Sequence, residues 1–142
     1  MKKTLITLLA VAIAAPAAAL ALRAQTDAAP APATHEVRMV MEGTSARFEP
    51  ANLTIKSGDR IRFTTVSGGP HNVAFDAARV PDPAEARLSA GMPGQIQPLS
   101  GALVINAGDS YTMSFAGVPA GRYEYYCMPH MGMNMKGVIT VQ

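Results

Sequence analysis

Near the end of the chain, Cys127-Met128-Pro129-His130 is followed by Met131, Met133 and Met135. A thiolate, an imidazole and a choice of thioethers therefore fall within nine residues. Cys127 is the chain's single cysteine, and a second imidazole, His71, stands far upstream beside Pro70 and the Gly68-Gly69 pair. Two imidazoles, one thiolate and a weakly held thioether form the donor set of a blue-copper electron-transfer site. Thiolate softness suits Cu(I), imidazole suits both oxidation states, and a distant methionine sulfur tunes the potential. On this reading His71, Cys127 and His130 define a trigonal plane, with a methionine above it. One copper ion cycling between Cu(II) and Cu(I) is the implied cofactor.

Each of these residues has an ordinary alternative. A lone cysteine on a strand is commonly a small core hydrophobe, and methionines fill core gaps. A lone histidine is more often a surface or hydrogen-bonded group than a ligand, and His35 is read that way here. The cluster argues against these alternatives as a set, because the methionines between 128 and 135 follow no core period. An unpaired cysteine in an exported protein must also pair between chains, react or bind metal. Zinc is the competing ion, but a Cys/His₂ set flanked by methionine with no added carboxylate fits copper better.

Export itself is read from the start of the chain. Lys2 and Lys3 precede an apolar run, and Ala19-Leu20-Ala21 offers a small-residue cleavage site. Residues 1–24 are read as a cleaved secretory signal peptide, which leaves no stable membrane anchor and places the protein in the periplasm or another exported compartment. Lys2, Lys3 and Arg23 are three of the 12 basic residues, so the remainder carries nine against 10 acidic groups. That near-neutral balance gives no basic surface for nucleic acid.

The elements that must position the donors follow. Residues 25–35, rich in Ala and Pro, read as a linker, and residues 36–142 as one domain. Val37, Met39 and Met41 alternate with more polar neighbours, as do Ile61, Phe63 and Thr65. Tyr111, Met113 and Phe115 do so again, and Tyr123, Tyr125 and Cys127 share one face of a strand opposite Glu124 and Tyr126. Short strand-like runs also surround Val73 and Phe75, Leu103 and Ile105, and residues 137–141. Ser57-Gly58-Asp59, Ala107-Gly108-Asp109 and Pro119-Ala120-Gly121 are turn signals. Asp82-Pro83 reads as an N-cap and first-turn proline before a short helix over 84–90, within a long segment that reaches Ser100. Seven or eight short strands predict an all-β, Greek-key antiparallel β-sandwich with a short helix or long loop at about 82–100. Such crossovers are needed to bring His71 to Cys127.

At two blocks the sequence resembles a known family. Tyr123-Glu124-Tyr125-Tyr126-Cys127-Met128-Pro129-His130 and the residues through Val141 are similar to the copper loop and last strand of plastocyanins. Gly69-Pro70-His71-Asn72-Val73-Ala74-Phe75-Asp76 resembles their upstream ligand strand. The chain is thus identified as a plastocyanin-like member of the cupredoxins, copper-binding Greek-key sandwiches that shuttle electrons between larger redox proteins. The resemblance implies His71, Cys127 and His130 as equatorial ligands. It implies Met135, eight positions after the cysteine, as the axial one, with Met133 second because shorter-looped relatives place it six after. Asn72 resembles the asparagine that ties the upstream ligand strand to the cysteine loop. Tyr126 matches a residue proposed as a second electron route, and its alternative is a plain surface tyrosine.

The chain also departs from that pattern. Photosynthetic plastocyanins carry acidic residues where this chain has Asp76-Ala77-Ala78-Arg79, and near Tyr126 only Glu124 is acidic. This argues against an acidic docking patch and against a photosynthetic partner. Met128, Met131 and Met133 instead suggest an apolar electron-transfer surface beside His130, suited to transient docking of a redox donor and acceptor by a monomer. Two readings compete: a copper-trafficking protein that captures Cu(I) through its Met-rich loop, and a metal-free structural sandwich. No catalytic arrangement or phosphate loop is evident, so the chain is not read as an enzyme.

Overall fold

The computed structural model describes residues 30–142; the signal peptide and residues 25–29 of the linker read from the sequence lie outside the described residues. Among the described residues, eight strands form two sheets. The first holds β1 (Thr34–Glu42), β2 (Ser45–Glu49), β4 (Arg60–Thr65) and β6 (Ser110–Ser114), in the order β2-β1-β4-β6. The second holds β3 (Asn52–Ile55), β5 (Ala74–Phe75), β7 (Gly121–Tyr126) and β8 (Lys136–Val141), in the order β3-β8-β7-β5. The β-sandwich expected from the alternating runs is present.

The period-two runs bury the faces they predict. Ile61, Phe63 and Thr65 of β4 are buried, with Arg60 and Arg62 exposed, and Tyr123, Tyr125 and Cys127 face the same core. Phe48, Phe63 and Tyr125 meet at its centre, with ring centroids 4.5 Å apart for Phe48–Tyr125 and 6.0 Å for Phe63–Tyr125. Aromatic pairs at such offsets add to the area they bury.

Strand direction departs from the antiparallel expectation. β1 runs parallel to β4 and β3 parallel to β8, so both sheets are mixed. Alternation reports which side of a strand is buried and carries nothing about the direction of its neighbour. Here the chain leaves the first sheet after β2, contributes β3 to the second, and returns as β4 beside β1 in the same sense. His35 lies inside β1 rather than in a tether, and its Nε2 is 2.8 Å from Asp59 Oδ2.

Leu103 and Ile105 also differ from the strand-core pattern. Both are exposed, and Val104 between them is buried and bridges to His71. The helix α1 (Asp82–Gly91) is capped by Pro81, and no side-chain cap hydrogen bond forms. It buries Ala84 and Leu88 and brings Gly91 against the Ser114 carbonyl, where a side chain has no room. Among the described residues, no helix is long and apolar enough to cross a membrane.

Candidate metal centre

Two segments far apart in the chain, the loop after β7 and the one that carries His71, converge on Cys127. β7 delivers the cysteine at its C-terminal end, facing the core in phase with Tyr123 and Tyr125. Pro129 follows, and the chain turns so that the His130 N–H donates to the Cys127 carbonyl at 3.2 Å. A short 3-10 turn, Met131–Met133, then ends on Asn134 in the left-handed region (φ 58°). Asparagine is among the few residues that tolerate this conformation, and the reversal brings the Met135 backbone back beside Cys127. The Cys127 N–H donates to the Met135 carbonyl at 3.0 Å, closing the loop. His71 arrives from the other side on a segment whose N–H and C=O both pair with Val104, each at 2.9 Å.

The side chains meet with their donor atoms inward. Cys127 Sγ lies 3.7 Å from His71 Nδ1 and 3.4 Å from His130 Nδ1, and the three donor atoms all lie within 4.8 Å of one another. A transition metal bound at about 2.0 Å to nitrogen and about 2.3 Å to sulfur, with about 120° between them, separates N from S by about 3.7 Å. The observed spacing fits one ion shared by all three groups. His71 and Cys127 are fully buried, while His130 retains 7% of its surface.

The surrounding groups prepare these donors. His71 Nε2 donates to the Ser67 carbonyl at 2.8 Å, which fixes the tautomer and leaves the Nδ1 lone pair free for a metal. Burial, reinforced by neighbouring His71, pushes the His130 imidazole down from its usual value. Burial pushes the Cys127 thiol up, with hydrogen bonds to the Asn72 and His130 regions opposing the shift. A bound cation offsets that cost by favouring the thiolate. Fully buried Asn72 accepts from the Met128 N–H at 2.9 Å and donates to Ser100 Oγ at 3.0 Å. It thereby joins the His71 strand, the cysteine loop and the end of the 82–100 segment.

The methionines separate into distinct environments. Met135 is 1% exposed, Met133 38% and Met131 62%. Met128 is half-buried, and its Sδ accepts from Ser100 Oγ at 2.8 Å. Tyr126 is also half-buried and lines an open cavity with Arg79 and Glu124, which form an ion pair. Sequence reasoning missed Ser67, Ser100 and Asn134. Ser67 acts on His71 through its backbone carbonyl, which carries no residue-type signal. Ser100 lay in an irregular segment, and only the fold shows that this segment ends beneath Met128. Asn134, just before the buried Met135, was the most legible of the three.

Comparison with known proteins agrees with this geometry. Residues 35–142 match the family described as copper binding proteins, plastocyanin/azurin family. The chain is 39% identical over 110 residues to a plastocyanin of Nostoc punctiforme, covering 77% of this chain and 74% of that one. It is 38% identical over 107 residues to a plastocyanin of Scenedesmus fuscus, covering 75% and 97%. A solved mutant plastocyanin of fern superposes with a TM-score of 0.60 at 30% identity, over 75% of this chain and 99% of that one.

Proposed function

Because the chain belongs to the plastocyanin/azurin family of copper-binding proteins, we propose that it is a periplasmic one-electron carrier that docks transiently with a redox donor and a redox acceptor. The observation that carries this reading is the buried convergence of His71 Nδ1, Cys127 Sγ and His130 Nδ1. Copper bound there supplies the Cu(II)/Cu(I) couple. The protein's part is to fix the donors before the electron arrives. The Ser67 carbonyl orients His71, the Asn72 bridge holds the cysteine loop against the His71 strand, and burial excludes water from the site. Ligands locked by such contacts have little freedom to rearrange between oxidation states.

Met135 is assigned as the axial thioether. Its burial and its place behind the Asn134 reversal support it over the more exposed Met133. His130 is the ligand whose edge reaches the surface, and exposed Met131 and Met133 flank it in sequence, so this end of the sandwich is assigned to docking. Around Tyr126 the charges balance, with Arg79 paired to Glu124, which supports a docking surface that is not acidic. Four protein donors leave no position for a substrate, which favours a carrier over an enzyme. A relay that only passes on Cu(I) has no need of two buried, oriented histidines, so the carrier reading is preferred to copper trafficking. Export to the periplasm rests on the N-terminal sequence and is tested by mass measurement of the protein recovered from that compartment. The electron-carrier role is tested by voltammetry of the copper-loaded protein. A reversible one-electron wave is expected, and an irreversible or absent wave contradicts the role.

A further inference from the structure

Asn72, Ser100 and Met128 close a ring of hydrogen bonds. The Met128 N–H donates to Asn72 Oδ1 at 2.9 Å, Asn72 Nδ2 donates to Ser100 Oγ at 3.0 Å, and Ser100 Oγ donates to Met128 Sδ at 2.8 Å. Every direction in the ring is fixed. A backbone N–H only donates, which turns the Asn72 oxygen towards Met128 and its NH₂ towards Ser100. That NH₂ also only donates, so the single Ser100 hydroxyl proton is left for the sulfur. Asn72 and Ser100 are both buried. Gln97 Nε2 approaches the same sulfur at 3.8 Å, so two donors from one segment meet a thioether, ordinarily a weak acceptor.

One side of the ring is anchored in the fold, and the other adjoins the metal centre. Ser100 is bracketed by backbone pairing: the Phe75 N–H donates to the Leu99 carbonyl and the Gly101 N–H to the Val73 carbonyl, each at 2.9 Å. Buried Leu99 sits in the left-handed region at φ 58°, an uncommon conformation for a leucine. Such backbone strain persists only where surrounding contacts over-determine it, and it gathers at functional sites. On the other side, Met128 directly follows Cys127 and Asn72 directly follows His71. Burial raises the Cys127 thiol, and the hydrogen bond from the Asn72 backbone is the largest influence opposing it.

We propose that Ser100 is a positioning residue for the metal centre, acting through Met128 Sδ and Asn72 to hold the Cys127 loop against the His71 strand. The Met128 thioether serves here as an internal acceptor. The proposal rests on the electron-carrier reading, because it concerns the same centre. Hydrogen bonding around the cysteine sulfur tunes the potential of such a site. A donor at that sulfur withdraws electron density from it and disfavours Cu(II), so loosening Asn72 is expected to lower the reduction potential.

The test compares the full wild-type protein with Ser100→Ala, Met128→Leu and the double variant. In the copper-free protein, hydrogen exchange at the Met128 amide is expected to be about five- to tenfold faster in either single variant. Because each change opens the same ring, the double variant is expected to exchange no faster than the faster single one. Once loaded with copper, each variant is expected to show a potential below wild type by voltammetry. Met128→Leu conserves volume and carries the same test if Ser100→Ala does not fold. Wild-type exchange at Met128, additive effects in the double variant, or an unchanged potential overturns the role of the ring and leaves the carrier reading intact. Absence of a thiolate-to-copper band in the wild-type protein overturns both.

Discussion

Replacing Asn72 with alanine tests how far the metal centre depends on the bridge between its two halves. Asn72 is fully buried, and its amide makes two short hydrogen bonds, accepting from the Met128 N–H at 2.9 Å and donating to Ser100 Oγ at 3.0 Å, besides a long one to the Gly101 carbonyl at 3.5 Å. Each such bond contributes about 1 kcal/mol net, and a buried partner left unsatisfied adds about 1 kcal/mol or more. Loss of both should therefore destabilise the copper-free protein by about 2–4 kcal/mol, a large share of the roughly 5–15 kcal/mol typical of a domain. The same contact holds the cysteine loop against the His71 strand, and loss of such orienting groups lowers metal affinity by about 10–100-fold. With copper bound, the stability gap should widen by about 1.4–2.7 kcal/mol, since affinity for the folded state adds to stability. Urea unfolding of wild type and Asn72→Ala, each with and without copper, measures both quantities. A cycle with Ser100→Ala should give a coupling of about 1 kcal/mol. A copper-free loss below about 0.5 kcal/mol would refute the hydrogen-bond argument. Equal losses in the copper-free and loaded proteins would reduce Asn72 to a packing residue.

Three further outcomes follow from the same geometry. Met135→Leu should raise the reduction potential, because removing a donor destabilises Cu(II) more than Cu(I), while costing less than about 1.5 kcal/mol of stability. Voltammetry should show a much smaller change for exposed Met133→Leu. The hydrogen bond from His35, with the Lys56 and Ala33 N–H groups, holds the Asp59 carboxyl down at about 2. A carboxyl lowered in the folded state stabilises above its unfolded value and loses that effect as pH falls through its folded value. Asp59→Asn should therefore cost about 1–2 kcal/mol near neutral pH, after allowance for solvent screening, and the gap should narrow from about pH 4 towards pH 2 in urea unfolding. A Cβ on Gly137 would collide with the Ala51 carbonyl and crowd the Tyr125 ring, so Gly137→Ala should destabilise by about 1–3 kcal/mol, read as a lower Tm.

The site was more legible in the sequence than the sheets that carry it. Donor type is written directly in residue identity, and the Cys127–His130 spacing places two donors in one tight loop. His71 was legible through its local context, since distance along the chain gives no sign that it meets Cys127. The alternation in β4 and β7 gave the buried faces because side chains on a strand alternate sides. It gave no strand direction, so the parallel β1–β4 and β3–β8 pairs became visible only in the fold. Leu103 and Ile105 face solvent because Val104 takes the inward position opposite His71, a register that hydrophobicity alone does not set. His35 looked like part of an extended tether, yet the Ser57-Gly58-Asp59 turn supplies its partner from a distant part of the chain. The roles of the Ser67 carbonyl and of Ser100 depend on contacts made by the folded backbone.

The most direct test of the central claim is an optical and spin-resonance spectrum of the protein loaded with one equivalent of Cu(II). The convergence of Cys127 Sγ with His71 Nδ1 and His130 Nδ1 predicts an intense visible thiolate-to-copper band and unusually narrow copper hyperfine splitting, both lost in Cys127→Ser. A colourless protein, or one that takes up only Cu(I), would contradict the account.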